Sequence, residues 1–323
     1  FTIFKGLKLI GKAGTDYYDF NISEYVAMYT PLKESGTMKK QTNRIYRNTF
    51  EAMLKYDKKI KDFDISAFVG GSLDYSFREM ISNDNAGQIV PGWQDITNYS
   101  TYTLSHTLRR KEVRSLFGLA SIGYKDYAYL EATIRNDVSS ALAENYRSYW
   151  YPSVSGSVLL SNIFGMDNNK VSLLKLRGSW AEVGGDTDPY MLNLDYGLHS
   201  FQLGGMSMGK INSSKVPAGG LKPTRTYSWE VGLDARFFDS RLNIDFTYYD
   251  TATRDQILSL PVSESTGYKT AMVNAGEITN KGFEVQLTAV PVRTKDFNYE
   301  TTVTFSHNKN KVNHSYCKKR NEI

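Results

Sequence analysis

By type and spacing, the residues best suited to chemistry are two neighbouring carboxylates. Asp186 and Asp188 lie in the sequence Gly-Gly-Asp-Thr-Asp-Pro, and carboxylates at this spacing can serve acid–base catalysis or bind calcium. The same residues are strong turn formers, because Gly-Gly and Asp-Pro pairs interrupt regular structure. We therefore interpret residues 184–189 as the point where a strand passes into a loop, and not as a catalytic pair.

Metal-ligating residue types are few and poorly spaced. His106, His199 and His307 have no partner at ligand spacing, and His314 with Cys317 forms a lone H-x-x-C. A structural zinc site needs a second such pair, and a single cysteine excludes an internal disulfide. No nucleophile elbow, phosphate loop or Ser/His/Asp set is present. The sequence predicts no enzyme, no catalytic residue, no cofactor and no metal site.

The charge balance excludes one further class of partner. The formal net charge is +5, from 39 basic and 34 acidic residues, and the densest basic clusters are 109–111 and 318–320. Neither cluster is interleaved with the aromatic residues that stack on bases in nucleic-acid-binding proteins. These clusters are read as solvated loop edges, and no nucleic-acid partner is predicted.

Most of the chain shows the alternation typical of strands with one apolar and one polar face. From Tyr227 to Phe237 every odd position is apolar or aromatic, and the even positions are Ser, Glu, Gly, Asp and Arg. Successive side chains in a strand point to opposite faces, so this pattern gives one apolar and one polar surface. The same alternation recurs in the ranges 242–248, 283–289 and 297–305.

The gaps between the eleven strand-like stretches alternate between short and long. Short gaps rich in Asp, Asn, Ser and Lys are typical of hairpin turns. The short gaps are predicted at 57–59, 125–126, 167–169, 239–240 and 293–296, and the long ones at 20–39, 83–106, 139–150, 185–222 and 259–275. This arrangement places every tight turn at one end of the sheet and every long loop at the other, as in outer-membrane barrels.

A soluble β-sandwich also has strands with one apolar face, so alternation alone leaves both folds open. Sandwich strands are usually about five or six residues long, whereas the strand-like composition from Phe63 to Phe77 continues for much longer. Aromatic residues make up 13% of the chain and concentrate near both strand ends, as in the girdles of membrane barrels. The fold class predicted is all-β, an antiparallel transmembrane β-barrel with about eleven strands in residues 1–310.

Several segments resemble one family of membrane transporters. The segments 176–184, 221–241, 242–250, 253–258 and 273–284 include Leu-Arg-Gly-Ser-Trp-Ala-Glu-Val-Gly and Val-Asn-Ala-Gly-Glu-Ile-Thr-Asn-Lys-Gly-Phe-Glu. In this order they resemble the barrel of the SusC/RagA family of TonB-dependent outer-membrane transporters from Bacteroidetes-type bacteria. The clear resemblance covers residues 170–312, and residues 1–170 carry weaker motifs.

The resemblance implies the remaining parts of the system. It implies a 22-stranded barrel in the outer membrane of a Gram-negative cell, surrounded by outer-membrane lipid and filled by an N-terminal plug. It also implies a SusD-like lipoprotein that captures a glycan or peptide, and a TonB–ExbB–ExbD complex that acts on the plug. The function expected is import of oligosaccharides or of other large nutrients such as peptides.

The resemblance also leads us to expect a partial chain. Eleven strands are half of 22, and neither a signal peptide, nor a plug domain, nor a TonB box is recognised in the sequence. Residues 311–323 do not resemble a membrane strand and are predicted to be an atypical, truncated tail. On this reading the segment alone does not transport.

The loop 185–222 is the best candidate for contact with a ligand. Tyr190, Tyr196, His199 and Phe201 could stack on sugar rings or pack on a peptide, and the pairs Gly204-Gly205 and Gly219-Gly220 are expected to let the loop move. A lid or partner-docking loop without ligand contact remains an alternative, so no substrate-binding residue is assigned. Two other functions also remain: a passive porin-like barrel and a secreted β-rich binding or adhesin module.

Overall fold

The structure is a computed structural model that describes residues 1–166, 170–194, 196–211, 215–216 and 220–314. These residues form seventeen strands, a short helix and one 3-10 turn. The strands are β1 Thr2–Phe4, β2 Leu7–Val26, β3 Thr37–Ile60, β4 Phe63–Gln88, β5 Tyr99–Tyr124, β6 Ala128–Ser139, β7 Ser148–Leu159, β8 Val171–Gly185, β9 Tyr196–Leu203, β10 Met206–Ile211, β11 Lys215–Val216, β12 Thr224–Phe237, β13 Leu242–Arg254, β14 Ile257–Pro261, β15 Thr270–Asn274, β16 Glu277–Arg293 and β17 Asn298–His314; the helix α1 is Leu160–Ile163 and the 3-10 turn is Glu264–Thr266.

Twelve of the described strands form one sheet whose strand order follows the chain, with β9–β11 and β14–β15 of the two longest loops left out. The order is β1-β2-β3-β4-β5-β6-β7-β8-β12-β13-β16-β17, and the pairs from β6 to β17 are antiparallel. The sheet contains the eleven long strands expected from sequence and the three-residue β1. The predicted all-β antiparallel barrel fold is therefore confirmed.

The alternation of connection lengths is found at every predicted position but one: the connection between β7 and β8, predicted to be short, spans residues 160–170, includes α1 and is longer than three of the long connections. The short connections are 61–62, 125–127, 238–241 and 294–297, and the long ones are 27–36, 89–98, 140–147, 186–223 and 255–276. In the short connection after β5, Lys125 and Asp126 have φ of 48° and 59°, the left-handed values that a tight hairpin turn requires. The turn predicted at 167–169 lies outside the described residues.

Several boundaries predicted from sequence are wrong, because the strands are longer than their side-chain pattern suggests. The turn placed at 57–59 is part of β3, and the chain reverses at Lys61, where φ is 53°. The loops predicted at 20–39 and 83–106 are shorter in the structure, because β3 has 24 residues and β4 and β5 have 26 each. Backbone hydrogen bonding sustains a strand through polar runs such as 82–85, where no apolar alternation marks it.

The chain divides into two compact units. The first contains Phe1–Ile10, Ala52–Gly71 and the chain from Ser115 onward, and the second contains Gly11–Glu51 and Ser72–Arg114. Within the second unit, neighbouring strands are held together by polar and aromatic side-chain contacts. Arg47 contacts Asp74 at 2.5 Å, Lys12 contacts Glu51 at 3.1 Å, and the rings of Tyr46 and Phe77 stack with centroids 4.5 Å apart.

The register within the first unit gives its sheet one apolar face. Val231 pairs with Tyr248, Leu233 with Phe246 and Ala235 with Ile244. Large apolar side chains on this face are left open rather than covered by protein, for example Leu176 and Val231 on interior strands, which are both 44% exposed. Such a surface is suited to contact with hydrocarbon.

The opposite face of the same strands is polar. The Arg177 guanidinium donates to both carboxylate oxygens of Asp245, at 2.8 and 3.2 Å, and to the Thr247 hydroxyl at 2.6 Å. Gly232 lies directly opposite Arg177, so the arginine side chain crosses over a residue with no side chain. Arg177 thus neutralises Asp245, which lies opposite Asp234 in the register.

Among the described residues, no helix has both the length and the apolar character needed to cross a membrane.

Candidate functional site at the long-loop end

A buried polar network lies where β6 and β7 approach the loop 140–147. The Arg135 guanidinium donates to Asp137 at 2.8 Å and to the Ser115 hydroxyl at 3.0 Å. The Tyr151 hydroxyl donates to the other oxygen of Asp137 at 2.5 Å. Asp137 is only 7% exposed, and a buried carboxylate is tolerated when an opposite charge and hydrogen bonds surround it in this way. The network fixes the ends of the two strands that carry the loop.

The start of the longest loop is attached to the end of β6. The fully buried Ser139 hydroxyl donates to the Asp186 carboxylate at 2.5 Å. The ring of Tyr149 occupies the space beside Gly184, where a larger residue would collide with it. The sequence interpretation of 184–189 as a passage from strand to loop is consistent with β8 ending at Gly185. Asp186 anchors the loop to this strand end.

The middle of that loop forms an exposed hairpin. Strands β9 and β10 pair antiparallel, and Leu203 lies opposite Met206. Gly204 and Gly205, which were expected to let the loop move, have φ of 58° and 79° and form the tight two-residue turn. That these glycines let the loop move stays a prediction. Of the second pair, Gly219 lies outside the described residues.

The residues proposed from sequence as ligand contacts are open to solvent in the described part of the loop. Tyr196 is 75% exposed and Phe201 is 59% exposed. His199 accepts the Phe201 backbone N–H at its Nδ1, at 3.0 Å, so its ring supports the hairpin locally. Tyr190 is in the left-handed region with φ of 65°. The described part of the hairpin thus presents aromatic surface to solvent.

The two longest loops are joined at their bases. Strand β15 pairs parallel with β11 and antiparallel with β14, so residues from both loops share one small sheet. The Asn274 side chain accepts the Lys222 N–H at 2.8 Å and donates to the carbonyls of Lys222 and Asp255, both at 2.9 Å. No sequence motif indicates this role, because the bond links residues 52 positions apart.

A third loop packs against the same junction. The Lys222 ammonium lies over the Tyr146 ring, 5.7 Å from its centroid, and Leu221 is 2% exposed. Tyr146 belongs to the loop 140–147, so three long loops meet around Lys222. We call this set of contacts the loop junction: Tyr146, Leu221, Lys222, Asp255 and Asn274.

In the second unit, the loop 89–98 is closed by its own polar groups. The Asn98 amide donates to the carbonyls of Val90 and Trp93, both at 2.8 Å, and accepts the Val90 N–H at 2.9 Å. Thr97 donates its hydroxyl and its backbone N–H to Asp95, which lowers the pKa of that carboxyl. With these groups satisfied, Trp93 remains 55% exposed at the surface of a well-braced loop.

The described residues do not assemble any group of three or more metal-ligating side chains. His106 contacts Glu79 at 3.1 Å, and Cys317 lies outside the described part of the chain. The contacts described above hold the long loops in place.

Comparison with known proteins assigns the fold to a family. The family model described as "TonB dependent receptor-like, beta-barrel" matches residues 5–320. The chain belongs to this family. It is an outer-membrane β-barrel protein, and the resemblance inferred from its motifs is confirmed.

Individual relatives agree with the assignment. The chain is 27% identical over 293 residues to the TonB-dependent receptor P26 of Formosa agariphila, with 87% of this chain and 29% of that protein covered. It is 26% identical over 284 residues to the TonB-dependent receptor SusC of Bacteroides thetaiotaomicron, with 81% and 27% covered. The chain thus spans less than a third of the length of these relatives.

Solved structures show the same fold. The structure of the RagAB peptide transporter superposes with a TM-score of 0.84 at 22% identity, covering 98% of this chain and 36% of that one. The outer-membrane transporter YddB from Escherichia coli superposes with a TM-score of 0.64 at 14% identity, covering 96% and 40%.

Proposed function

We propose that this chain is a segment of the barrel wall of a TonB-dependent importer for oligosaccharides or other large nutrients such as peptides. In this proposal residues 1–310 form the barrel segment, with the polar face toward the lumen and the apolar face toward lipid. Strand β17 runs to His314, and residues 315–323 lie outside the described residues. A plug that couples to TonB–ExbB–ExbD and a SusD-like lipoprotein complete the system, and this segment performs no bond-breaking chemistry.

The observation that carries the proposal is the junction of three long loops at one end of the sheet. Passive channels need open access, whereas an importer that hands a large substrate from the surface to the lumen needs loops held in a defined arrangement. The loop junction supplies that arrangement through Asn274 and Lys222. Likeness to proteins named SusC and to a RagAB peptide transporter supports glycan or peptide as cargo.

The exposed aromatic residues of the longest loop are the proposed contacts with substrate. An aromatic ring gives a flat apolar surface for the CH groups of a sugar or for peptide side chains. Tyr190 and Phe201 are 46% and 59% exposed, so truncating them should change recognition without disturbing the sheet.

Uptake in cells that express the full-length receptor tests the proposal. Fluorescent oligosaccharides and peptides are offered to cells with and without a functional TonB, and to cells carrying Tyr190→Ala with Phe201→Ala. We expect TonB-dependent uptake of one class and a fall of about tenfold in the double variant, as for loss of about 1.4 kcal/mol of binding. Exposed aromatics of β2 provide the control, Tyr17→Ala with Phe20→Ala.

The results of the uptake experiment distinguish a TonB-dependent importer from a passive porin-like barrel. Uptake that is independent of TonB would indicate a passive porin-like barrel and overturn the proposal. TonB-dependent uptake that is equal in both double variants would keep the importer and remove Tyr190 and Phe201 as substrate contacts.

A further inference from the structure

The apolar face of the first unit contains a groove that crosses interior strands of the sheet. Its floor consists of two glycines that lie opposite each other, Gly156 on β7 and Gly178 on β8. Leu130 of β6 pairs with Gly156, and Val231 of β12 pairs with Gly178, so the four residues share one face of the sheet. The groove has a volume of about 520 Å³, and its apolar walls are Ile122, Tyr124, Leu130, Val158, Leu176 and Val231.

Packing within the protein does not require glycine at either position of the floor. A Cβ atom added at Gly178 would have a carbonyl oxygen of β12 as its nearest neighbour, at 3.7 Å, and one added at Gly156 would have a carbonyl oxygen of β6 at 3.6 Å. Both are ordinary van der Waals distances. On the polar face, by contrast, a Cβ atom at Gly232 would collide with the Arg177 side chain. Glycine inside a strand weakens it, so the floor keeps the groove open at a cost in strand stability.

The position of the groove in the sheet determines what covers it. Strands β6, β7, β8 and β12 each have a described strand on both sides, so their outward surface does not depend on where the described sheet ends. In the proposed barrel a plug fills the lumen on the polar side, and the rest of the wall joins the sheet at its edges. The wall residues Leu176 and Val231 are both 44% exposed. The groove is therefore continuous with the surface that contacts hydrocarbon in an outer-membrane barrel.

The lining of the groove favours an apolar occupant. Tyr129 and Arg177 contribute atoms to the lining, but their polar groups are engaged elsewhere. The Tyr129 hydroxyl donates to Asp126 at 3.0 Å, and the Arg177 guanidinium is held on the polar face by Asp245 and Thr247. The volume lies within the range of about 300–1,000 Å³ that is typical of small-molecule sites. A hydrocarbon chain can therefore fill the groove without desolvating a charge.

One end of the groove lies at the membrane interface, next to a short connection. Tyr124 is the last residue of β5, and the Lys125 ammonium lies 5.5 Å from the centroid of its ring, as is typical of an interface. At the other end, Val231 is six residues before Phe237, the last residue of β12, and about 9–11 residues cross the bilayer. The groove thus occupies the half of the hydrocarbon next to the short connections, which face the periplasm in outer-membrane barrels.

We propose that the groove holds one acyl chain of a phospholipid in the periplasmic leaflet. A chain in the groove contacts the protein on its floor and both walls, whereas a chain on a smooth face contacts it on one side, and dispersion energy grows with the number of contacts. The headgroup remains at the interface beside Tyr124, and the end of the chain lies over Gly156 and Gly178. The proposal rests on the membrane location of the apolar face and is independent of uptake and of the cargo.

Photo-crosslinking of the full-length receptor in phosphatidylethanolamine bilayers tests the proposal. The probe is a phosphatidylethanolamine with a diazirine near the end of one acyl chain, and mass spectrometry measures the labelling of each peptide. We expect the groove segments, 154–158 and 174–178, to be labelled about fivefold more than residues 283–287, as for a difference of about 1 kcal/mol. The comparison segment belongs to β16, lies on the same apolar face and contains no glycine.

Filling the groove should remove this preference. Gly156→Val with Gly178→Val places branched side chains on the floor, and labelling of the groove segments should fall to the level of β16. Valine offers more C–H bonds to the diazirine than glycine does, so a fall cannot reflect fewer reactive groups. Ala132→Val with Ala289→Val, the matched control, adds apolar volume to the same face outside the groove and should change labelling by less than about twofold.

A smaller substitution keeps the test decisive if the valine variant does not fold. Heat-modifiable migration on gels identifies the folded variants. Gly156→Ala with Gly178→Ala adds only the Cβ atoms for which the structure has room, and it should produce a partial fall in labelling of the groove segments.

Four results would overturn the proposal. Two are equal labelling of the groove segments and β16, and full labelling of the groove segments in the folded filled variants. With the diazirine moved next to the glycerol, labelling of Trp180 in place of Tyr124 would show that the chain descends from the external leaflet, which carries lipid A. A disulfide between two receptors with Leu176→Cys in a Cys317→Ser background would show that a second copy of the barrel covers the groove.

Discussion

At the residue scale, single polar side chains hold the long loops in place through hydrogen bonds. Asn274 makes three hydrogen bonds to backbone groups of two different loops, and Ser139 attaches the start of the longest loop through Asp186. Backbone groups in loops need such partners, because no neighbouring strand supplies them. An amide side chain suits the junction because it both donates and accepts.

Replacing Asn274 should loosen both loops. Asn274→Ala removes three hydrogen bonds, each contributing about 0.5–1.5 kcal/mol, so amides at 255–258 and 220–224 should exchange with solvent about tenfold or more faster. Asn274→Asp is the control, because it still accepts the Lys222 N–H but cannot donate to either carbonyl, and an intermediate rate is expected. Hydrogen exchange followed by mass spectrometry on the full-length receptor measures the difference. Unchanged exchange in the alanine variant would contradict the role of Asn274.

At the element scale, one strand serves two environments through its two faces. On β16, Leu287 pairs with Ile244 and Val303 on the apolar face, while Gln286 pairs with Asp245 and Thr304 on the polar face. These neighbours differ by one residue in sequence and share the same depth. Substitutions at Gln286 and Leu287 therefore compare the lumen-facing and the lipid-facing side of one strand at the same depth in the membrane.

A lysine should be tolerated on one of these faces and rejected on the other. Leu287→Lys places a charge in the middle of the apolar band and should lower the free energy of unfolding by about 2–4 kcal/mol. Gln286→Lys, the matched control, should cost less than about 1 kcal/mol, as for a substitution facing a polar surface. Urea unfolding of the full-length receptor in liposomes measures both values. Equal costs would mean that hydrocarbon does not cover the apolar face.

The environment of these two faces explains which strand boundaries could be predicted from the sequence and which could not. Where each strand contacts hydrocarbon on one side, alternation is strict, and the elements from Thr224 to Phe305 were predicted closely. Where β3, β4 and β5 extend further, neither face has to be apolar, and the predicted boundaries are wrong by several residues. The loop junction was missed for a related reason, since a hydrogen bond from Asn274 to Lys222 leaves no periodic signal. The aromatic residues of the longest loop were proposed as ligand contacts by residue type alone, and that proposal stays a prediction.

At the scale of the whole molecule, strand length and connection length together define a direction across the membrane. Strands β4 and β5 have 26 residues each, whereas about 9–11 residues cross the hydrocarbon. On the apolar face of β5, Leu116 to Tyr124 lie next to a short connection, so the excess must lie toward the long loop. Long loops of outer-membrane barrels face the cell exterior.

Cysteine labelling on intact cells tests this direction. In a Cys317→Ser background of the full-length receptor, Leu104→Cys should react with a membrane-impermeant maleimide, because Leu104 is 74% exposed and lies twelve positions beyond Leu116 toward the long-loop end of β5. Phe297→Cys, in a short connection and 59% exposed, should react only after the outer membrane is permeabilised. Leu287→Cys should stay unreactive in both states, since its side chain faces hydrocarbon. Labelling of Phe297→Cys on intact cells would reverse the orientation and place the loop junction in the periplasm, where it could not receive nutrients from outside.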